Sequence, residues 1–173
     1  MAIKGEGYIK TTWAFQERPV ASAKLNLWDD RIEAALELAY FLLSLAWGGG
    51  DGVIRGAATD DLKVVAAAPP GMTVAVEPGY AFVSQSPYKL GEKTATIAVE
   101  APAGNPRIDL VQARLDTWDI GVKMGTEAAS PTAPSADSHC VALGELYLRV
   151  GMSCIKDTDD GTNGYITDAR TFL

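Results

Sequence analysis

Along residues 24–47, KLNLWDDRIEAALELAYFLLSLAW, apolar positions recur at alternating three- and four-residue intervals, and from residue 53 onward the period drops to two. The first pattern predicts a helix and the second a series of β-strands. The helical stretch contains no Pro or Gly and is rich in Leu, Ala and Glu, residues that cost little in a helix. Asn26 stands where it can cap the first turn, with Asp29 and Asp30 just inside it, where the backbone dipole favours negative charge. GGGDG at 48–52 ends the helix. Leu25, Trp28, Ile32, Ala35, Ala39, Leu42 and Ala46 form the seam of a short coiled coil or bundle. Leu38, Phe41 and Leu45 fall off that seam, so the second half is apolar nearly all round and is expected to be covered on two sides, one of them by another subunit.

In GMTVAVEPGYAFV, residues 71–83, Met72, Val74, Val76, Tyr80 and Phe82 share one parity, and Pro78-Gly79 reads as a turn in a hairpin-like unit. The alternation returns with Ala95, Ile97 and Val99, with Ile120, Val122 and Met124, and with Cys140, Ala142, Leu146, Leu148 and Val150. Short strands punctuated by Gly and Pro predict an antiparallel sandwich rather than a βαβ fold. The expected protein is therefore mainly β: an antiparallel β-sandwich over 53–173, preceded by an extended N-terminal arm at 1–23 and one long oligomerising helix at 24–47. The segment GYIKTTWAFQERPVAS, residues 7–22, reads equally as a docking arm or as a first strand of the sandwich. GTEAASPTAPSADS, residues 125–138, predicts an extended, exposed connection.

One strand carries unusual charge. In PRIDLVQARLD, residues 106–116, alternation puts Arg107, Asp109, Val111, Ala113 and Leu115 on one face and Ile108, Leu110, Gln112, Arg114 and Asp116 on the other. Asp109 and Asp116 then point apart and cannot act as one acid/base pair. Both faces mix apolar and charged groups, the pattern of a strand covered on each side by protein.

Composition narrows the function. A formal charge of −7 and a pI of about 4.7 exclude a nucleic-acid partner, which needs clustered Lys and Arg. The apolar run 34–47 contains Glu37 and falls short of the roughly 20 residues of a membrane span, so no membrane partner is expected. The N-terminus has no signal-peptide core. Cys140 and Cys154 lack metal-site spacing and His139 is the single histidine, so no metal and no cofactor is expected. Neighbours in a strand point to opposite faces, which rules out a His139–Cys140 dyad, and no catalytic residue is assigned. The loop KDTDDGTNG offers Asp157, Asp159, Asp160 and Asn163, but Gly161 comes one position early for a calcium loop, and an acidic hairpin turn accounts for it. Tyr88 and Trp118 are the aromatics that read as exposed, the candidate platform of a carbohydrate-binding module used in host-surface adhesion.

The ordered set GMTVAVEPGYAFV, PRIDLVQARLD, VKMGTEAASPTAPS, ALGELYLRVG and YITDAR resembles the core region of tailed-phage baseplate and tail-fibre-base proteins, including upper-baseplate-type proteins, over residues 60–170. The resemblance implies a β-sandwich with a helical segment that assembles with copies of itself as a trimer. It implies a structural, non-enzymatic virion protein, assembled in the host cytoplasm, whose partners are itself and other phage particle proteins. The chain reaches Leu173 three residues after Arg170, which favours an assembly, connector or decoration role over receptor binding. Carried onto this chain, the resemblance gives structural roles to Asp109, Asp168 and Arg170. The expectation is that Asp109 or Asp116 pairs with Arg170 or Arg114 and fixes strand register.

Overall fold

The computed structural model describes residues 22–46, 48–56, 60–84 and 86–173. The segment expected to form the arm lies outside the described residues apart from its last two positions, which are helical. The chain divides into two units, residues 1–49 and 50–173.

The described part of the first unit is the helix α1, Ser22–Ala46. It is already formed at Ser22, so Asn26 lies within it instead of capping it, and no acidic residue stands in the first turn. Nothing in Ser-Ala-Lys-Leu opposes a helix, which is why the start falls upstream of the expected cap. The glycines end it as expected. Gly48 and Gly49 take φ of 82° and 66°, and their amides donate to the carbonyls of Leu45 and Ser44 at 3.2 and 2.8 Å.

The second unit is built from strands in three sheets, which makes the described protein β-rich with one helix. Strands β1 (Gly52–Ile54), β4 (Gly79–Val83) and β5 (Ser86–Leu90) form one sheet, in the order β1-β4-β5. A second sheet holds β2 (Val64–Gly71), β3 (Thr73–Val76) and β6 (Ile97–Ala98), in the order β2-β3-β6. The third, five-stranded, runs β10-β11-β9-β7-β8, from β7 (Arg107–Arg114), β8 (Asp119–Lys123), β9 (Cys140–Leu148), β10 (Ile155–Lys156) and β11 (Gly164–Asp168). All pairs are antiparallel except β10 with β11. One apolar cluster draws on all three sheets: Val53, Ala81, Val83 and Tyr88 from the first, Val64, Val74 and Val76 from the second, and Val111, Ala113, Val141, Leu143, Leu146 and Leu148 from the third.

Two expected alternations break, each for a local reason. The stretch 71–83 is not a hairpin: β3 and β4 belong to different sheets, and Pro78-Gly79 is the corner between them. Past the corner the phase inverts, so Ala81 and Val83 enter the core while Tyr80 is 50% exposed. Gly79 is required there, because a Cβ would sit 2.6 Å from the Leu62 amide nitrogen. In β9 the register against β7 shifts between Val111↔Gly144 and Gln112↔Ala142, leaving Leu143 as the extra residue of a bulge. The core side is therefore Val141 and Leu143 before the bulge and Leu146 and Leu148 after it. Cys140 and Ala142 sit on the other face, and Val150 is exposed.

Strand β7 is buried on both faces. Its Val111 and Ala113 join the core, whereas Leu110 and Gln112 are buried outside it. The segment 125–138 explains the second face, because it is strapped down and not an open connection. The Gln112 amide donates to Asp137 Oδ2 at 2.7 Å and accepts from the Asp137 backbone amide at 3.0 Å. Lys123 Nζ donates to the Ser135 carbonyl and to Asp137 Oδ1. At the other end the Glu127 carboxylate accepts from three successive amides, Ala103, Gly104 and Asn105. Those amides hold the Glu127 carboxyl below the usual carboxylate range.

Candidate functional site

The charges of β7 resolve into two ion pairs with different surroundings. Arg107 and Asp109, two apart on one face, pair along the strand: Nε and Nη2 donate to Oδ1 and Oδ2 at 2.7 and 2.9 Å. Their side chains are 6% and 2% exposed. Arg107 Nη2 also donates to the Glu100 carbonyl, and Asp109 Oδ1 also accepts from the Gly125 amide. The pair ties the strand to two neighbouring loops. Asp109 is thus bound to Arg107, and neither Arg114 nor Arg170 is its partner.

Arg170 turns instead to Asp168, with Nε and Nη2 donating to its two carboxylate oxygens at 2.8 and 2.7 Å, and its Nη1 reaches the Asp61 carbonyl. Asp168 is held below the usual range, mainly by that guanidinium. Of the three residues implied as structural by the resemblance, Asp168 and Arg170 pair with each other and Asp109 pairs with Arg107, while Arg114, expected as a partner of Asp109 or Asp116, pairs with Asp119.

Asp119 belongs to the corner at the β7–β8 turn, residues 115–118. Arg114, the last residue of β7, faces Asp119, the first of β8, and donates to it through Nε and Nη2 at 2.8 and 2.9 Å. Thr117 Oγ1 donates to the same carboxylate. Together they lower the Asp119 pKa, the arginine contributing most. The guanidinium lies across Gly121, where a Cβ would meet Arg114 Cζ at 2.5 Å. Asp116 is in the turn and exposed.

Trp118, within that turn, is 60% exposed and has φ of 53°, a left-handed conformation uncommon for a bulky residue. Its ring lies parallel to that of Tyr88 on β5, with centroids 6.1 Å apart and planes 4° apart. Tyr88 is not the exposed platform expected of it: it is 1% exposed and part of the core cluster. The corner at Pro78 sends β4 and β5 into a separate sheet, and Tyr88 on β5 meets Trp118 from there, which alternation in the SPYKL segment does not reveal. The Tyr88 hydroxyl is buried with no hydrogen-bond partner, and burial, followed by the nearby Asp119 charge, pushes its pKa up.

A third contact closes this corner. Ser84 Oγ lies 2.8 Å from His139 Nδ1, and the His139 carbonyl accepts from the Leu115 amide of the Trp118 turn. Ser84 and His139 also have positive φ, 51° and 59°. Separated by 55 residues, the pair left no sequence signal. It joins the β4–β5 turn to the start of β9. Cys140 beside it is a free, half-buried thiol whose pKa is raised first by burial.

Elsewhere the polar groups serve the fold. In the 157–163 loop, Asp160 accepts from the amides of Thr162 and Asn163, from the Asn163 side chain and from Lys156. Asp159 is taken by Arg149 and the Gly161 amide. Among the described residues no group of three or more His, Cys, Asp or Glu could hold a metal ion, and no helix is long and apolar enough to cross a membrane. A cleft of about 240 Å³ is floored by Val64, Leu143 and Ile166 and edged by Asp157 and Asp168. Those carboxylates are already engaged by the Ala66 amide and by Arg170.

On the helix, Leu25, Trp28, Ala39, Leu42 and Ala46 of the expected seam are exposed, and Ile32 and Ala35 are half-buried. Leu27, Leu36, Leu43 and Leu45 are exposed beside them. Against known proteins, no family model, no curated protein and no solved structure matches the chain.

Proposed function

We propose that this chain is a non-enzymatic structural protein of a tailed-phage particle, of the baseplate or tail-fibre-base kind, assembling through α1 as a homo-oligomer. The observation that carries the reading is the apolar helix surface: Leu42 is 56% exposed, and Leu25, Trp28, Leu36, Leu43 and Leu45 are each more than two-fifths exposed. Leu25, Ile32, Ala39 and Ala46 repeat every seven residues, with Trp28, Ala35 and Leu42 interleaved, and Leu36 and Leu43 widen the stripe. A sustained seven-residue repeat is satisfied most simply by copies of itself. Burying a few hundred Å² of such surface per subunit contributes on the order of several kcal/mol at about 25 cal/mol per Å². The trimer count, the virion location and the neighbouring particle proteins rest on the resemblance of segments 60–170. In this reading the three sheets act as a sandwich and the N-terminal arm docks on a neighbour.

The test is light scattering over a concentration series, with Leu42→Glu beside the wild type. A wild-type oligomer that gives folded monomers on substitution supports assembly through α1. A wild-type monomer throughout overturns it. A second reading, a carbohydrate-binding module used in host-surface adhesion, draws its support from Trp118, whose ring is exposed.

A further inference from the structure

The polar and aromatic groups around residues 114–119 make a surface of defined chemistry. We propose that the β7–β8 turn binds a neutral pyranose, with Trp118 stacking on the apolar C–H face of the sugar and the Arg114–Asp119 pair hydrogen-bonding its hydroxyls. The proposal deepens the carbohydrate-binding reading and rests on it, but it replaces the Tyr88–Trp118 platform with a different set of residues.

Four observations carry it. First, the Trp118 ring is exposed yet oriented: the parallel Tyr88 ring behind it belongs to the core, so the indole offers a flat face whose tilt is set in advance. Pre-orientation matters because a single sugar makes few contacts and cannot offset the ordering of a mobile side chain. Second, Trp118 holds a positive φ, and the turn carrying it is bonded to His139, which is itself bonded to Ser84. A strained backbone position that presents a large side chain to solvent fits a binding role better than a packing role. Third, the adjacent ion pair is a planar fork. Arg114 uses Nε and one Nη2 hydrogen on Asp119, and Thr117 takes the rest of Oδ1, which leaves the second Nη2 hydrogen next to the free lone pair of Asp119 Oδ2. Adjacent donors and acceptors held in one plane match the vicinal hydroxyls of a sugar. Fourth, the charge selects the ligand. Asp116 and Asp119 flank Trp118 and the chain carries −7 overall, which disfavours phosphorylated or acidic glycans and leaves neutral ones.

Gly121 supplies an independent handle. A methyl there would displace the Arg114 guanidinium, the flexible end of a side chain, so Gly121→Ala moves the fork with little demand on the fold. The experiment applies the labelled full-length chain to an array of neutral gluco-, galacto-, manno- and N-acetylhexosamine oligosaccharides. Hits are titrated with saturation-transfer NMR for wild type, Trp118→Ala and Gly121→Ala, each checked for folding by circular dichroism. Expected are binding by the wild type, a loss of at least about tenfold for Trp118→Ala, and a smaller loss for Gly121→Ala. Wild-type binding that both variants retain overturns this site while leaving the carbohydrate reading intact. A blank array for the wild type overturns both and leaves Trp118 a protein-contact residue.

Discussion

Replacing Asp109 by alanine strips the carboxylate from a guanidinium that is itself only 6% exposed. Two charge-assisted hydrogen bonds disappear, and the Gly125 amide loses its acceptor. Arg107 keeps its bond to the Glu100 carbonyl, but a neutral acceptor does not balance the charge. Removing one partner of a buried pair costs about 3–5 kcal/mol, because the remaining charge is left uncompensated away from water. Set against a typical domain stability of about 5–15 kcal/mol, that is about a fifth of the total at the least. At about 4 °C per kcal/mol the melting temperature should fall on the order of 12–20 °C. Urea unfolding followed by circular dichroism gives the free energy, and the slope shows whether the transition stays two-state. The double variant Arg107→Met with Asp109→Leu removes both charges and should recover to within about 2 kcal/mol of wild type. An Asp109→Ala cost below about 1 kcal/mol with unchanged slope would refute the reasoning, since the pair would then have to be solvated.

Two further outcomes follow from the same surroundings. Tyr88→Phe removes a buried hydroxyl that has no partner, so it should raise stability by about 1 kcal/mol in urea unfolding, and a loss of that size would reveal a hidden bond. Glu127, Asp119, Asp137 and Asp168 all have carboxyl groups held below their ordinary range. The unfolded chain therefore takes up protons first as pH falls, and the stability these groups contribute, full above about pH 5, is lost progressively below about pH 4. Urea midpoints from pH 7 to 3 should show this decline, and Glu127→Gln should make it shallower; an unchanged profile would mean that the three amides do not favour the charged form.

The helix and the charged strand were legible because each rests on a pattern local to one element. A Pro- and Gly-free run of Leu, Ala and Glu announces α1, and alternation in RIDLVQAR places Arg107 and Asp109 on one face. Their pairing with each other was visible in that spacing, yet two residues apart on one strand face is a contact sequence reasoning passes over. The core side of β9 was not legible, since the bulge at Leu143 adds one residue and inverts every position on one side of it. Pro78 does the same to Tyr80 by sending the chain into another sheet. Asp119 could have been found: a four-residue turn after Arg114 places the two opposite each other. Tyr88 under Trp118, and Ser84 against His139, depend on how sheets meet, which no single segment encodes.

The final residues of the chain return to the strand that begins the β-rich unit. Val53 donates its amide to the Thr171 carbonyl at 2.7 Å, the Leu173 amide donates to the Val53 carbonyl at 3.0 Å, and Phe172 bridges Val53. Arg55 and Arg170 both stack on the Phe172 ring, with their Cζ atoms 4.7 and 4.9 Å from its centre. Residues 50 and 173 thus lie side by side, and the path of the chain through the unit is nearly a closed ring. Such a ring can be cut and rejoined. A short linker from Leu173 to Gly50, with new ends opened in the exposed 158–161 turn, should give a circular permutant with the same three sheets. The order in which the strands are written along the gene is then separable from the surface they build.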